Sequence, residues 1–342
     1  MPETLPVPSR AIRYRVAMRT LSVSATSFGR EPVRLSDLLD RGPVLLDGAM
    51  GTELDARGVN TRNALWSARA LTTAPDVVRE VHSDYLDAGA RVITTNTYQA
   101  TLPALVRSGE DTAGARRVIA AGARLAKEAA RHFSKEHPEE PVLVAGGLGP
   151  YGAYLADGSE YTGAYGIDIL EDPGFQEVHL PRIEVLVGEG IDLFALETLP
   201  RLDEARALAS MVTGLAPQAQ CWVSFQVRPD GATLADGTPL AEAAAWAAQE
   251  ETVVAVGVNC VAPGVIGRAL PVLHAATNKP LVAYPNAGDL YDPATKTWQS
   301  TGDGAGIPEL APSWLAEGAR LVGGCCRTRP AQIRELARAV CP

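Results

Sequence analysis

The sequence predicts one α/β domain, a closed (β/α)8 TIM barrel, and three observations predict it. Eight short runs rich in Val, Leu and Ala alternate with helical stretches from about residue 36 onward. No change of composition divides that alternation, which favours a single sheet closed on itself over a doubly wound one. The polar residues also fall on one side. Asp47, Asn96, Glu197, Asn259, Asn286, Cys260, Cys325 and Cys326 stand at or just past the C-terminal ends of the runs, the rim where sites of this fold assemble. A scatter of structural polar residues would populate both rims.

The elements follow in order. Residues 1–34 carry six Arg against two Glu and little apolar patterning. They read as a disordered N-terminal extension, or as sequence upstream of a start at Met18, rather than as a targeting segment. Residues 35–342 form the barrel domain, in which Ser36–Arg41 predicts a short helix plugging the floor. The strand runs are Val44–Asp47, Val92–Thr95, Val142–Gly147, Leu193–Glu197, Trp222–Val227, Val253–Asn259, Leu281–Pro285 and Leu321–Cys325. Among the helical stretches are Ala74–Ala88, opened by the helix-compatible pair Ala74-Pro75, Ala113–His132 and Leu240–Gln249. Two connections are long, Gly149–Asp172 and Asn286–Gly306; both are rich in Gly, Tyr and Asp and both leave the polar rim, as lids or binding loops do.

Bulk properties exclude several classes. Net charge is −9 and no Lys/Arg cluster marks a helical face, so neither nucleic acid nor an anionic membrane is an expected partner. No apolar run approaches the ~20 residues of a membrane span. Five cysteines, two of them adjacent, do not make a secreted disulfide framework and suit a reducing cytoplasm. Gly147–Gly152 superficially resembles a dinucleotide loop, but its spacing is wrong and no helix is expected after it. The five His show no metal-ligand spacing.

The chemistry lies in the thiols. Cys260 alone would pass as a small buried hydrophobe. With Cys325 and Cys326 on the same rim, three thiolates and an open fourth position suit a catalytic Zn2+ that binds and activates a substrate thiol. Cys221 and Cys341 sit elsewhere and keep the ordinary reading. Asp47 and Glu197 are suited to a substrate ammonium, with backbone amides at Gly48 for its carboxylate, although a helix cap and a salt bridge are the plainer roles. Trp66, Tyr98, Tyr151 and Tyr154 offer π-faces for a cationic donor.

These residues lie in motifs that resemble the homocysteine S-methyltransferases: Asp47-Gly-Ala-Met-Gly-Thr-Glu-Leu, Thr95-Asn-Thr-Tyr-Gln-Ala, Gly149-Pro-Tyr-Gly-Ala-Tyr-Leu-Ala-Asp-Gly-Ser-Glu-Tyr, Glu197-Thr-Leu-Pro, Gly257-Val-Asn-Cys, Tyr284-Pro-Asn-Ala-Gly and Gly323-Gly-Cys-Cys-Arg-Thr. The resemblance runs from about residue 36 to 338. It implies a zinc-dependent barrel that methylates homocysteine to methionine, with Cys260, Cys325 and Cys326 as zinc ligands. It further implies that Asp47 and Glu197 hold the amino group of homocysteine, with Gly48, Asn96, Tyr98 and Asn259 beside the substrates and Trp66 on the methyl-donor side.

The loop from Gly149 is similar to that of enzymes using S-methylmethionine, which makes a sulfonium the expected donor and S-adenosylmethionine a weaker one. Thr95-Asn96 departs from the Ala-Ser usual in those enzymes, at the border of the donor pocket. Alternatives are another donor such as betaine, selenocysteine as acceptor, or a non-catalytic zinc- or thiol-binding protein. A monomer or small homo-oligomer is expected.

Overall fold

The computed structural model describes residues 33–166, 168, 172–288, 290–292, 297–299 and 306–340. The proposed extension up to residue 32 and Cys341 lie outside the described residues. The strands are β1 (Val44–Leu45), β2 (Val92–Thr94), β3 (Leu143–Leu148), β4 (Leu193–Leu199), β5 (Gln220–Phe225), β6 (Val253–Asn259) and β7 (Leu281–Tyr284). An antiparallel pair, β8 (Leu290–Asp292) and β9 (Thr297–Gln299), follows, and β10 (Ala319–Val322) completes the barrel.

The eight parallel strands run in the order β1-β10-β7-β6-β5-β4-β3-β2. A bridge from Leu46 to Val92 joins the two ends, with the Asp47 amide donating to the Val92 carbonyl at 3.1 Å. The sheet is therefore closed, and every interior strand edge is paired.

Side-chain alternation divides the apolar residues into two layers. Inside the barrel lie Leu46, Val92, Leu193, Ala195, Trp222, Ala255, Val282 and Leu321. Their neighbours Phe194, Leu196, Val223, Val256 and Val322 face the helix ring and pack in the outer core. Leu35 and Leu38, on the helix Leu35–Leu39, join the inner layer as the expected floor plug.

The same period of two carries the inner row upward into polar residues: Leu193, Ala195, Glu197 on β4; Trp222, Ser224 on β5; Ala255, Gly257, Asn259 on β6; Val282, Tyr284 on β7. The fold thus delivers chemistry to the C-terminal mouth simply by changing side-chain type at the last inward position of each strand.

Two expectations need correction and a third gains detail. A five-residue helix, Tyr151–Leu155, begins within the Gly147–Gly152 segment and runs past it, because the chain turns at Pro150 and the glycine at 152 lets the helix pack against the next turn. The last strand ends at Val322, before the cysteine pair, since Cys325 and Cys326 belong to a turn. The connection after β7, expected only as a long lid or binding loop, carries the short β8–β9 hairpin.

Candidate active site

The three cysteines converge. The Sγ atoms of Cys260, Cys325 and Cys326 lie within 4.8 Å of one another, with Cys260 and Cys326 at 3.8 Å. Two sulfurs on one tetrahedral zinc, each at ~2.3 Å, stand about 3.8 Å apart. The donor set therefore fits a soft divalent ion with one position left for a substrate. Hydrogen bonds from Cys325 and Cys326 hold Cys260 well below the usual thiol range, while those two are pushed well above it.

Backbone geometry sets the convergence. Cys260 has φ 55°, which turns its side chain in from the end of β6, and its amide donates to the Tyr284 carbonyl at 3.2 Å. The Cys325 amide donates to the Pro285 carbonyl at 2.7 Å, the Gly324 amide to Asp47 at 3.1 Å, and the Thr328 hydroxyl returns to the Cys325 carbonyl at 2.6 Å. The cysteine turn is pinned to β1 and β7 together.

Asp47 and Glu197 open into the same pocket, which is also lined by Gly48, Trp66, Asn96, Tyr98, Glu160, Tyr161 and Tyr284. Asp47 accepts from the Thr94 amide at 2.8 Å, and burial pushes its carboxyl up to about 7 against that bond. Glu197 accepts from the Tyr284 hydroxyl at 3.3 Å; burial raises it to about 8, with Cys325 and Asp47 adding repulsion. Asp47 caps no helix, and Glu197 makes no salt bridge among the described residues, although the charge of Arg182 favours its ionised form from a distance. Two desolvated acids that a cation would return to their charged form make a receptor for an ammonium group.

Gly48 must be glycine. A Cβ there would sit 2.8 Å from the Tyr85 ring and 2.9 Å from Thr328 Oγ1. Asn96 exchanges hydrogen bonds with Ser67 (2.8 and 2.9 Å), which fastens the Trp66 segment to the end of β2. Trp66 takes φ 47° and meets Tyr98 edge to face at 6.5 Å.

Asn259 stands behind the pocket wall. Its Oδ1 accepts from the Thr198 amide and its Nδ2 donates to Thr198 Oγ1, both at 2.8 Å, with Cys325 Sγ at 3.9 Å. Thr198 has φ 62°, an uncommon state for a β-branched residue. The Asn259 amide holds that bend, which interrupts the β4–β5 register between Leu196 and Leu199.

Tyr151 and Tyr154 do not line the pocket. Tyr151 packs on Tyr165 and Phe175, and Tyr154 meets the Arg107 guanidinium. Sequence reasoning passed over Glu160, Tyr161, Thr198 and Tyr284; the last had a signal, as an aromatic at the final inward position of β7. Cys221 is buried in the outer layer, and burial pushes its thiol up to about 12, consistent with an inert thiol.

The family model for homocysteine S-methyltransferase matches residues 44–340. The homocysteine S-methyltransferase of Escherichia coli (strain K12) is 47% identical over 305 residues, covering 88% of this chain and 97% of its own length. The selenocysteine Se-methyltransferase of Brassica oleracea var. italica is 36% identical over 306 residues, with 86% and 88% covered. Among solved structures, the homocysteine methyltransferase MmuM from Escherichia coli in its metallated form is 44% identical. It superimposes with a TM-score of 0.78 over 88% of this chain and 98% of that one.

Proposed function

The chain belongs to the homocysteine S-methyltransferase family, and from that premise we propose that it transfers a methyl group from S-methylmethionine to homocysteine, yielding methionine. S-adenosylmethionine is the weaker donor. Cys260, Cys325 and Cys326 hold zinc, in one barrel domain of residues 35–342 that works in the reducing cytoplasm. The observation that carries this reading is the trio of sulfurs within 4.8 Å, sharing a pocket with Asp47 and Glu197.

Bound zinc supplies Lewis acidity that favours the thiolate form of the acceptor, whose free thiol has a pKa of ~8.5. The protein's own residues do the rest. Asp47 and Glu197 receive the acceptor's ammonium, and that charge draws both carboxyls back to their ionised form. Tyr284 keeps Glu197 oriented, itself accepting from Trp222 Nε1 at 3.2 Å. Trp66 and Tyr98 present π-faces to the donor's positive charge. The acceptor sulfur forms a bond to the methyl carbon as the donor's carbon–sulfur bond breaks, its electron pair staying on the donor sulfur. Both partners end neutral, so a pocket walled by aromatic rings favours the transfer.

The donor assignment draws on the Tyr151–Tyr161 sequence, and the Thr95-Asn96 departure bears on it directly. Zinc-loaded protein with homocysteine should form methionine fastest from S-methylmethionine in a panel that includes S-adenosylmethionine and betaine. Turnover with betaine alone would overturn the donor. Bound zinc with no alkylation by any donor would overturn the enzyme. The selenocysteine-methylating relative supports a second reading, in which selenocysteine is also accepted, and the same panel run with that acceptor decides it.

A further inference from the structure

We propose that the buried Arg182–His179–Glu204 network is a positioning element for the methyl-donor wall of the pocket, acting through the loops it ties and not through contact with substrate. Only the word donor rests on the function proposed above; the positioning role stands on geometry.

Arg182 and His179 lie on the helix Pro173–Gly188 and Glu204 on the helix Leu202–Leu215, and all three are fully buried. The guanidinium reaches two separate loops. Nη1 donates to the carbonyls of Thr97 (3.1 Å) and Tyr98 (2.6 Å), and Nη2 donates to Gly149 at 3.0 Å. Nη2 also lies 2.9 Å from His179 Nδ1. Because that nitrogen faces a donor, the ring's proton belongs on Nε2, which points at Glu204 Oε1 3.6 Å away.

Glu204 then holds both ends of the lid. It accepts from the Tyr151 amide and from the Tyr165 hydroxyl, each at 2.6 Å. Two adjoining clusters therefore fix the wall: Arg182 ties the loop after β2 to Gly149, and Glu204 ties Tyr151 to Tyr165, with His179 packed between them and no hydrogen bond from its Nε2.

An apolar core would bind these helices at no desolvation cost, whereas burying charge costs several kcal/mol per ion before pairing offsets it. What the charges add is direction: a planar fork fixes three carbonyls in angle as well as distance. The parts so fixed form one wall. The Tyr98 ring meets Trp66, and a Cβ on Gly149 would come within 2.7 Å of that same ring. A Cβ on Gly152 would come within 2.3 Å of the Glu160 amide, so the lid helix presses directly on the turn that carries Glu160 and Tyr161. The Tyr161 hydroxyl reaches 4.0 Å from Cys260 Sγ. Asp47, Glu197 and the cysteines are carried by strands and a turn to which the network makes no hydrogen bond among the described residues; its one reach toward them is the Coulombic pull of Arg182 on Glu197, which the Tyr165 variant leaves in place.

The test uses full-length, metal-loaded Tyr165→Phe and Glu204→Gln proteins with whichever donor the parent turns over fastest. Tyr165→Phe deletes one hydroxyl and keeps the ring, so it remains informative where the Glu204 variant fails to fold. Donor KM should rise about 5- to 10-fold, with acceptor KM, kcat at saturating donor and metal content within two-fold of the parent. Hydrogen exchange of amides 151–165 should accelerate in the same variants, a readout that needs no turnover. Unchanged donor KM, an equal rise in both KM values, or unaltered lid exchange would each overturn the inference. Absence of turnover in the parent would instead overturn the function, leaving lid exchange to judge the network.

Discussion

The two walls of the pocket are built by different means. The wall proposed for the acceptor comes from the barrel itself: Glu197 is the last inward residue of its row on β4, Asp47 follows β1, and Cys260 follows β6. The wall opposite is made of loop, with Trp66 in a one-turn helix, Tyr98 past β2, and Glu160 and Tyr161 in the lid. The first is fixed by sheet hydrogen bonds that the fold requires in any case. The second would wander without dedicated anchors, and it has them in Asn96–Ser67 and in the Arg182 network. Strands place the thiols and carboxyls, while loops place the aromatic groups that, on the function proposed above, would face the donor.

This contrast ranks the consequences of mutation. Replacing Cys260 with Ala should cause the largest loss: metal content falls and turnover drops on the order of 10³-fold, while the barrel stays folded because the sulfur contributes little to either core. Metal analysis beside circular dichroism checks both halves. Retention of full turnover would break the comparison at its root, since the strand-borne wall would then carry no chemistry.

Glu197→Gln should raise acceptor KM about 10²-fold, the scale for losing one partner of a buried charge pair, with donor KM little changed. The same variant has a stability signature. An acid whose folded value is raised leaves stability intact below its unfolded value and removes it as pH climbs toward the folded one. Burial raises Glu197 from 4.5 to about 8 and Asp47 from 3.8 to about 7. Metal-free Glu197→Gln should therefore match its parent near pH 4 and outlast it by pH 8, by up to about 4 kcal/mol, a gain of several degrees in Tm. Thermal melts at the two pH values measure the gap. A gap that shrinks with rising pH would mean that the carboxyl is stabilised in place.

Legibility in the sequence follows the same division. Strand spacing and the change from apolar to polar at each strand end announce the barrel, the three thiols and both carboxylates, because a period of two converts position into direction. Arg182 and Glu204 carry no such announcement. They sit on helices where a charged residue ordinarily marks the solvent face, and only the packing of those helices against the lid turns them inward. Asn259 shows an intermediate case. Its motif drew attention to it, and its amide holds the bend at Thr198 and approaches Cys325 Sγ from behind the pocket wall.

Trp66→Ala probes the loop wall directly. Loss of one π-face for a cation corresponds to roughly 1 to 2 kcal/mol, so donor KM should rise about 10-fold while acceptor KM holds. Steady-state kinetics with each substrate varied in turn separates the two. An effect on the acceptor alone would exchange the identities of the walls.

The smallest effect belongs to Tyr154, which shares its sequence motif with Tyr161 but sits on the lid's other side. Its hydroxyl accepts from exposed Arg107, and its ring lies 4.2 Å beneath that guanidinium. Tyr154→Phe keeps the ring contact and removes one solvent-shared hydrogen bond, worth about 1 kcal/mol or less. Both KM values should stay within two-fold of the parent. Because Tyr154 and Tyr161 are only seven residues apart, a donor-specific change at Tyr154 would show that the lid acts as one stiff body, whose two faces cannot be altered separately. No change would localise donor selection to the face that Glu160 and Tyr161 turn toward Cys260, and would leave the Arg182–Glu204 anchors as a route by which buried residues outside the pocket reach the loop wall.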